Sequence, residues 1–307
     1  VVYEFQAYLP FDGIAHENEN EIRRTEGKRI EQAKEFIGDI SNKYGKVRAR
    51  AVPAIPSVLS NDYWKSYNYN FDEYTIPIGL TYSEIEPVTI DLTRAGAIGI
   101  YGREGFGKSN LVRVIMTYLQ QHVFDMPCEA YVIDGYDRQL AEFETFGFIE
   151  QFTIDCTDFE SIVQTFSDAA KERMDILRMG GNLKDLPLLL CLVQNAQIFA
   201  VNTVARPISD QFKQLLTDAK QLKICFIFSN VENNADFSPP EMLRIARDFS
   251  QFFLLDDIAN VKFFGSGKFA ANELRLFKKP ISLGDGYLYD SRTGLEKIKL
   301  VNCERSV

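Results

Sequence analysis

The string Gly102-Arg-Glu-Gly-Phe-Gly-Lys-Ser109 limits what this chain can fold into more than any other stretch. It matches the pattern GxxxxGK[S/T] in full. Its three glycines let the backbone wrap so that successive N–H groups converge on an anion. The apolar run Ala97–Tyr101 precedes it, and Leu111, Val112, Ile115, Met116 and Leu119 give the following segment one apolar face. A buried strand, a glycine-rich turn and a helix N-terminus together cradle phosphate. In that arrangement Lys108 reaches the outer phosphates, and the Ser109 hydroxyl is the one metal ligand, used only when magnesium is bound. Residues 97–120 therefore read as a phosphate-binding loop with its flanking strand and helix. Its nucleotide-binding residues are Gly102, Arg103, Glu104, Gly105, Phe106, Gly107, Lys108, Ser109 and Asn110.

Beyond residue 75 the pattern alternates between strand and helix. Strands are expected at Ile76–Leu80, Pro87–Asp91, Ala97–Tyr101, Glu129–Ile133, Leu186–Val193, Lys223–Ser229 and Gln251–Leu255, with the last at Gly286–Tyr289. Helices are expected at Asn110–Val123, Phe159–Arg178, Ile208–Ala219 and Pro239–Ser250. Apolar strands alternating with helices predict an α/β fold, a RecA-like P-loop NTPase whose mainly parallel central sheet carries helices on both faces. Ahead of it, Val1–Leu9 reads as a strand. Glu17–Tyr44 reads as an amphipathic helix striped by Ile30, Ala33, Ile37, Ile40 and Tyr44, with Gly45 placed to stop it. Arg48–Leu59, with Pro53 and Pro56, reads as an extended connector. The expected division is 1–60, a strand, helix and Pro-rich connector, and 61–307, the nucleotide-binding module. The aromatic and Asn-rich Tyr63–Tyr74 is expected to pack across the main domain.

The 307 residues are 46% apolar, enough for a large buried core. No apolar run approaches the roughly 20 residues of a membrane span. The chain opens in mid-pattern at Val1 without a signal peptide, as a piece of a longer polypeptide would. A formal net charge of −9 argues against a duplex-binding groove. The densest basic run, Lys43, Lys46, Arg48 and Arg50, reads as a solvated face. The five cysteines form no CxxC pair, and neither His16 nor His122 has a cysteine at ligand spacing. They read as buried reduced thiols and not as zinc ligands.

A working ATPase also needs an acid at the end of a neighbouring strand and a carboxylate to polarise water. After Leu188–Val193 those positions hold Gln194 and Asn195. An amide meets a metal-bound water only as a neutral dipole and is no base near pH 7. Glu104 adds negative charge where polyphosphate arrives, and Phe106 is bulky for its turn. Arg103 either compensates for Glu104 or folds onto it. These departures point to a degenerate site with no catalytic residue, binding ATP and magnesium weakly. The other reading is that Asp134, ending the Glu129–Ile133 strand, supplies the acid. Ser229 and Asn230 stand where a γ-phosphate sensor would, and equally where simple turn chemistry would place them.

The chain resembles the FtsK/SpoIIIE branch of P-loop motor ATPases. The resemblance is carried by Ile76-Pro-Ile-Gly79, Pro87-Val-Thr-Ile-Asp-Leu92 leading into the loop, Tyr131-Val-Ile-Asp134, Leu186-Pro-Leu-Leu-Leu190 and Leu283-Gly-Asp-Gly-Tyr287. Within that branch it is most similar to the last ATPase module of type VII secretion coupling proteins, EssC in Firmicutes and EccC in actinobacteria. The amides Gln194 and Asn195 and the N-terminal join carry that narrower likeness. The resemblance implies a membrane-anchored parent at the cytoplasmic face of a bacterial cell, exporting small helical WXG100-type proteins. The resemblance implies further that this module is itself soluble, works beside other modules of the same chain, can join a ring in the full assembly, and serves substrate recognition and regulation. One alternative is an active ATP-driven DNA translocase of the FtsK type. Another is a structural module that only completes a ring. If substrate docks, helix-in-groove binding is expected along Phe249–Leu255 and Phe263–Phe269, unless those aromatics are core.

Overall fold

The computed structural model describes residues 19–44, 54–60, 63, 74–195, 206–230, 241–257, 264, 269 and 281–303. It forms two compact units, Val1–Pro53 and Ala54–Val307. In the first unit, α1 (Glu19–Tyr44) is the expected amphipathic helix. Its apolar stripe at Ile30, Ile37 and Ile40 is exposed. The expected strand Val1–Leu9, the Gly45 stop and most of Tyr63–Tyr74 lie outside the described residues.

The second unit opens at Ala54, ahead of the expected boundary at 61. Its first strand explains why. The connector ends in β1 (Leu59–Ser60), which pairs in parallel with Val301 and Asn302. The remaining strands are β2 (Thr75–Thr81), β3 (Pro87–Asp91), β4 (Ala97–Gly102), β5 (Cys128–Ile133), β6 (Ile149–Thr153), β7 (Leu188–Val193), β8 (Ile224–Ser229), β9 (Gln251–Leu255), β10 (Asp285–Asp290) and β11 (Gly294–Asn302). They lie in the order β3-β2-β11-β10-β9-β4-β8-β7-β5-β6. The six from β9 to β6 run parallel, and β10, β11, β2 and β3 extend the sheet antiparallel.

Two further strands escape the sequence pattern. Strand β6 is a polar edge strand, Ile-Glu-Gln-Phe-Thr, which buries no residue fully. Strand β11 corrects the expectation that Gly286–Tyr289 comes last. Its lysines hide its strand character, because Lys299 faces Asp285 directly across the ladder and is neutralised there at 3.1 Å.

The period of two along each parallel strand divides the core into two faces. Leu188, Leu190, Leu192, Cys225, Ile227, Ile98 and Ile100 face α3 (Lys108–Gln121), the helix after the loop. Leu189, Cys191, Val193, Phe226 and Phe228 face α4 (Asp158–Arg178), α5 (Arg206–Asp218) and α6 (Glu241–Arg247). The short α2 (Leu92–Ala95) precedes β4 and is capped by Asp91. Helix α3 begins two residues earlier than expected, and the predicted Pro239 and Pro240 start of α6 lies outside the described residues.

Most of the expected groove segment Phe263–Phe269 lies outside the described residues, and among the described residues the aromatics form no open groove. Phe249, Phe252, Phe253, Phe264 and Phe269 are buried, and Phe252 stacks on Phe264 at 4.4 Å between ring centroids. Their density serves packing, where each well-set aromatic pair adds about 1 kcal/mol. Cys128, Cys191 and Cys225 are buried with thiol pKa values pushed up by burial, while Cys156 and Cys303 are only half-buried.

Candidate functional site

The loop leaves β4 at Gly102, whose φ is 142°. A Cβ there would stand 2.5 Å from the carbonyl oxygen of Leu255. Only glycine permits that approach, and Arg103 N–H donates to the same carbonyl. Gly107, at φ 104°, opens α3, and no side chain caps the helix. The first residues of α3 line a cavity of about 950 Å3. A glycine-built turn running into an uncapped helix N-terminus fits a phosphate chain.

Each loop side chain has a definite place. The Lys108 ammonium is nearly buried and donates to the Gly102 carbonyl. Glu104 is exposed at the cavity. Arg103 does not fold onto it. Its guanidinium lies 4.0 Å from the Phe106 ring centroid and 3.6 Å from Asp256. The bulk of Phe106 is absorbed beneath the loop, where it packs partly buried against both faces of the core. Asn110 acts as a tie. Its amide donates to Val301 O at 2.7 Å and accepts from Cys303 N–H at 2.9 Å, which joins α3 to β11.

The two amides after β7 part company. Continuing the alternation of Leu188, Leu190 and Leu192 puts Gln194 on the loop face and Asn195 on the other. Gln194 Nε2 donates to Ser109 Oγ at 3.3 Å and to Gln139 Oε1 at 3.1 Å. Its Oε1 is buried and has no donor among the described residues. Leaving such an atom unpaired costs about 1–3 kcal/mol. Asn195 instead donates to the carbonyls of Asp134, at 3.0 Å, and Ile154, at 3.3 Å. It is buried and lines no part of the cavity.

Asp134 is fully buried and also absent from the cavity lining. Its two carboxylate oxygens accept from the N–H groups of Gly135, at 2.8 Å, and Leu140, at 2.9 Å. Burial raises its pKa above the ordinary carboxylate value, against the lowering by those two bonds. Both oxygens are committed to holding the turn 135–140, so the geometry gives no support to Asp134 as the missing acid.

That turn carries the residues sequence reasoning did not pick out. Asp137, Arg138 and Gln139 line the cavity, with Arg113 and Glu142 paired beside them. Ser109 Oγ donates to Gln139 Oε1 at 2.7 Å, and Gln139 Nε2 donates to Asp137. The signal in the sequence is the polar run Asp134-Gly-Tyr-Asp-Arg-Gln139. It follows a parallel strand at its carboxyl end, where α/β sheets hold ligands. Of the two sensor candidates, Asn230 lines the cavity at φ 61°. Ser229 is buried, and its hydroxyl has no partner among the described residues.

The loop residue that would hold magnesium is already engaged. Ser109 is that metal's one loop ligand and is already bonded to two amides, and Gln194 offers only a neutral group. Among the described residues no group of three or more His, Cys, Asp or Glu could hold a metal. No described helix is long and apolar enough to cross a membrane.

No family model matches the chain. Over 141 residues, 44% of its length, it is 30% identical to the ESX secretion system protein EccC of Geobacillus thermodenitrificans, and the match spans 8% of that protein. Among solved structures it resembles EssC (ATPases 2 and 3) from Geobacillus thermodenitrificans with a TM-score of 0.67 at 18% identity. That likeness covers 94% of this chain and 52% of the other. It also resembles Thermomonospora curvata EccC (ATPases 2 and 3) in complex with a signal sequence peptide, with a TM-score of 0.58 at 19% identity over 83% of this chain and 45% of that one. The chain thus spans about half the length of these structures and a small part of the curated relative.

Proposed function

We propose that this chain, a P-loop ATPase module of the EssC/EccC type, is a degenerate nucleotide site that serves substrate recognition and regulation in type VII protein export. One observation carries the reading. The side chain that ends β7 on the loop face is the amide of Gln194, bonded to Ser109, and the acid that ends the neighbouring strand, Asp134, is closed on backbone N–H groups. Phosphoryl transfer depends on metal-bound charge at that position. The loop keeps what backbone supplies, a wrapped turn and a helix N-terminus, so weak nucleotide binding with little or no turnover follows. We assign the chain to the third, C-terminal module of its parent, whose membrane anchor lies in other segments.

The recognition role draws support from the EccC structure that holds a signal sequence peptide. The partners proposed are small helical WXG100-type proteins and neighbouring modules of the same parent. Calorimetric titration with Mg·ATP tests the first half, and pull-down with helical export substrates tests the second. Dissociation constants well above micromolar, turnover near background and retention of substrate are the expected results. Micromolar Mg·ATP affinity with turnover would overturn the degenerate reading. Loss of every substrate in the pull-down would overturn recognition.

A further inference from the structure

We infer that Gln139 sets the metal preference of the loop, an inference that rests on the reading of a weak nucleotide site. A serine hydroxyl has one proton and two lone pairs. Ser109 donates its proton to Gln139 Oε1 at 2.7 Å and accepts from Gln194 Nε2 at 3.3 Å. One lone pair remains. The Gln194 N–H also points positive charge at the oxygen a cation would use, which opposes metal ligation there. Gln194 is pinned in this orientation because its Nε2 donates to Gln139 Oε1 as well, at 3.1 Å.

The consequence is a loop that takes a phosphate chain about as well without magnesium as with it. Gln139 is the removable member of the network. It is exposed on the turn 135–140, whereas Gln194 is buried. Without Gln139, the Ser109 hydroxyl regains its freedom and Gln194 can rotate. Its Oε1, which has no donor among the described residues, can then accept from a metal-bound water. The ligand class is therefore metal-free polyphosphate in the native chain and Mg·nucleotide once Gln139 is gone.

The test is titration of the full chain and of Gln139→Ala with a non-hydrolysable ATP analogue, in excess magnesium and in EDTA. The native chain is expected to show affinities within about twofold in the two conditions. Gln139→Ala is expected to bind about three- to tenfold more tightly in magnesium and to be unchanged within about twofold in EDTA, the effect of one or two modest hydrogen bonds. Gln139→Leu gives the same readout should alanine loosen the turn, with thermal melts checking that both variants fold. A native preference for magnesium above about tenfold, an equal gain in both conditions, or no gain in either variant overturns the inference. A native chain that binds the magnesium form of the analogue at micromolar concentration overturns the weak-site reading itself. A weak native site with unchanged variants overturns only the role of Gln139.

Discussion

The cavity has two walls, and they are built from different material. One wall is backbone: the end of β4, the turn at Gly102–Gly107 and the first turn of α3, tied to β11 through Asn110. The other wall is side chain: Gln194 at the end of β7 and Asp137, Arg138 and Gln139 on the turn that Asp134 holds. The backbone wall keeps every feature that a phosphate cradle needs. The side-chain wall carries an amide, Gln194, at the strand end where phosphoryl transfer uses an acid. A wall made from glycine geometry is bound into the sheet and cannot drift without disturbing the core. A wall made from single side chains can change its chemistry by one substitution and leave the fold intact.

The sharpest way to break that contrast is to damage the backbone wall. Gly102→Ala puts a Cβ into the Leu255 carbonyl and forces a non-glycine residue to φ 142°. We expect about 4 kcal/mol of destabilisation, read from urea midpoints. A loss below about 1 kcal/mol would mean that the loop is separable from the sheet.

Next in size comes the pair of amides. Asn195→Glu replaces a donor to two carbonyls with a buried carboxylate facing them. A loss of about 3 kcal/mol is expected, with no gain in nucleotide affinity. Gln194→Asp, on the loop face, should cost little stability and raise Mg·ATP affinity. Equal behaviour of the two variants would refute the division of Gln194 and Asn195 between the faces of the sheet. Asp134→Ala removes the acceptor for two backbone N–H groups and should cost about 2 kcal/mol. Asp134→Asn, which keeps one acceptor and drops a charge that burial disfavours, should cost less. The reverse ranking would show that the charge itself is needed.

The two walls also differ in how far the sequence discloses them. The backbone wall is legible because its requirements are residue types at fixed spacing, and Gly102, Gly107, Lys108 and Ser109 sit where the pattern demands. The parallel strands from β9 to β5 are legible because they are largely apolar on both faces. The side-chain wall is half legible. Gln194 and Asn195 are adjacent in sequence, and only the strand's period separates them in space. Gln139 belongs to a turn, which has no period to read, and its partner Ser109 lies 30 residues away. Strand β6 is masked by its edge position, and β11 by Lys299, whose charge is cancelled by a residue on another strand.

That cancelled charge supplies the smallest effect and tests the support behind the backbone wall. Tyr82 donates to Asp285 Oδ1 at 2.9 Å, Lys299 reaches the same oxygen at 3.1 Å, and Lys297 lies 4.5 Å from the Tyr82 ring centroid. This group braces β11, the strand to which Asn110 is tied. Burial first, then the hydrogen bond to Asp285 and its charge, push the Tyr82 pKa up to about 12 from 10.0. A pKa raised on folding adds stability that is complete below the unfolded value and lost as pH rises through the folded one. Tyr82 therefore contributes fully below pH 10 and progressively less towards pH 12. Tyr82→Phe should lose less than about 1 kcal/mol at pH 8, because the ring is partly exposed and only one hydrogen bond is removed. Between pH 10 and 12 its stability should fall less steeply than that of the native chain. Other tyrosines with raised values, such as Tyr287, contribute equally to both proteins, so the difference between the two curves isolates Tyr82. Parallel curves would mean that Asp285 is held by its lysines alone and that Tyr82 plays no part in bracing β11.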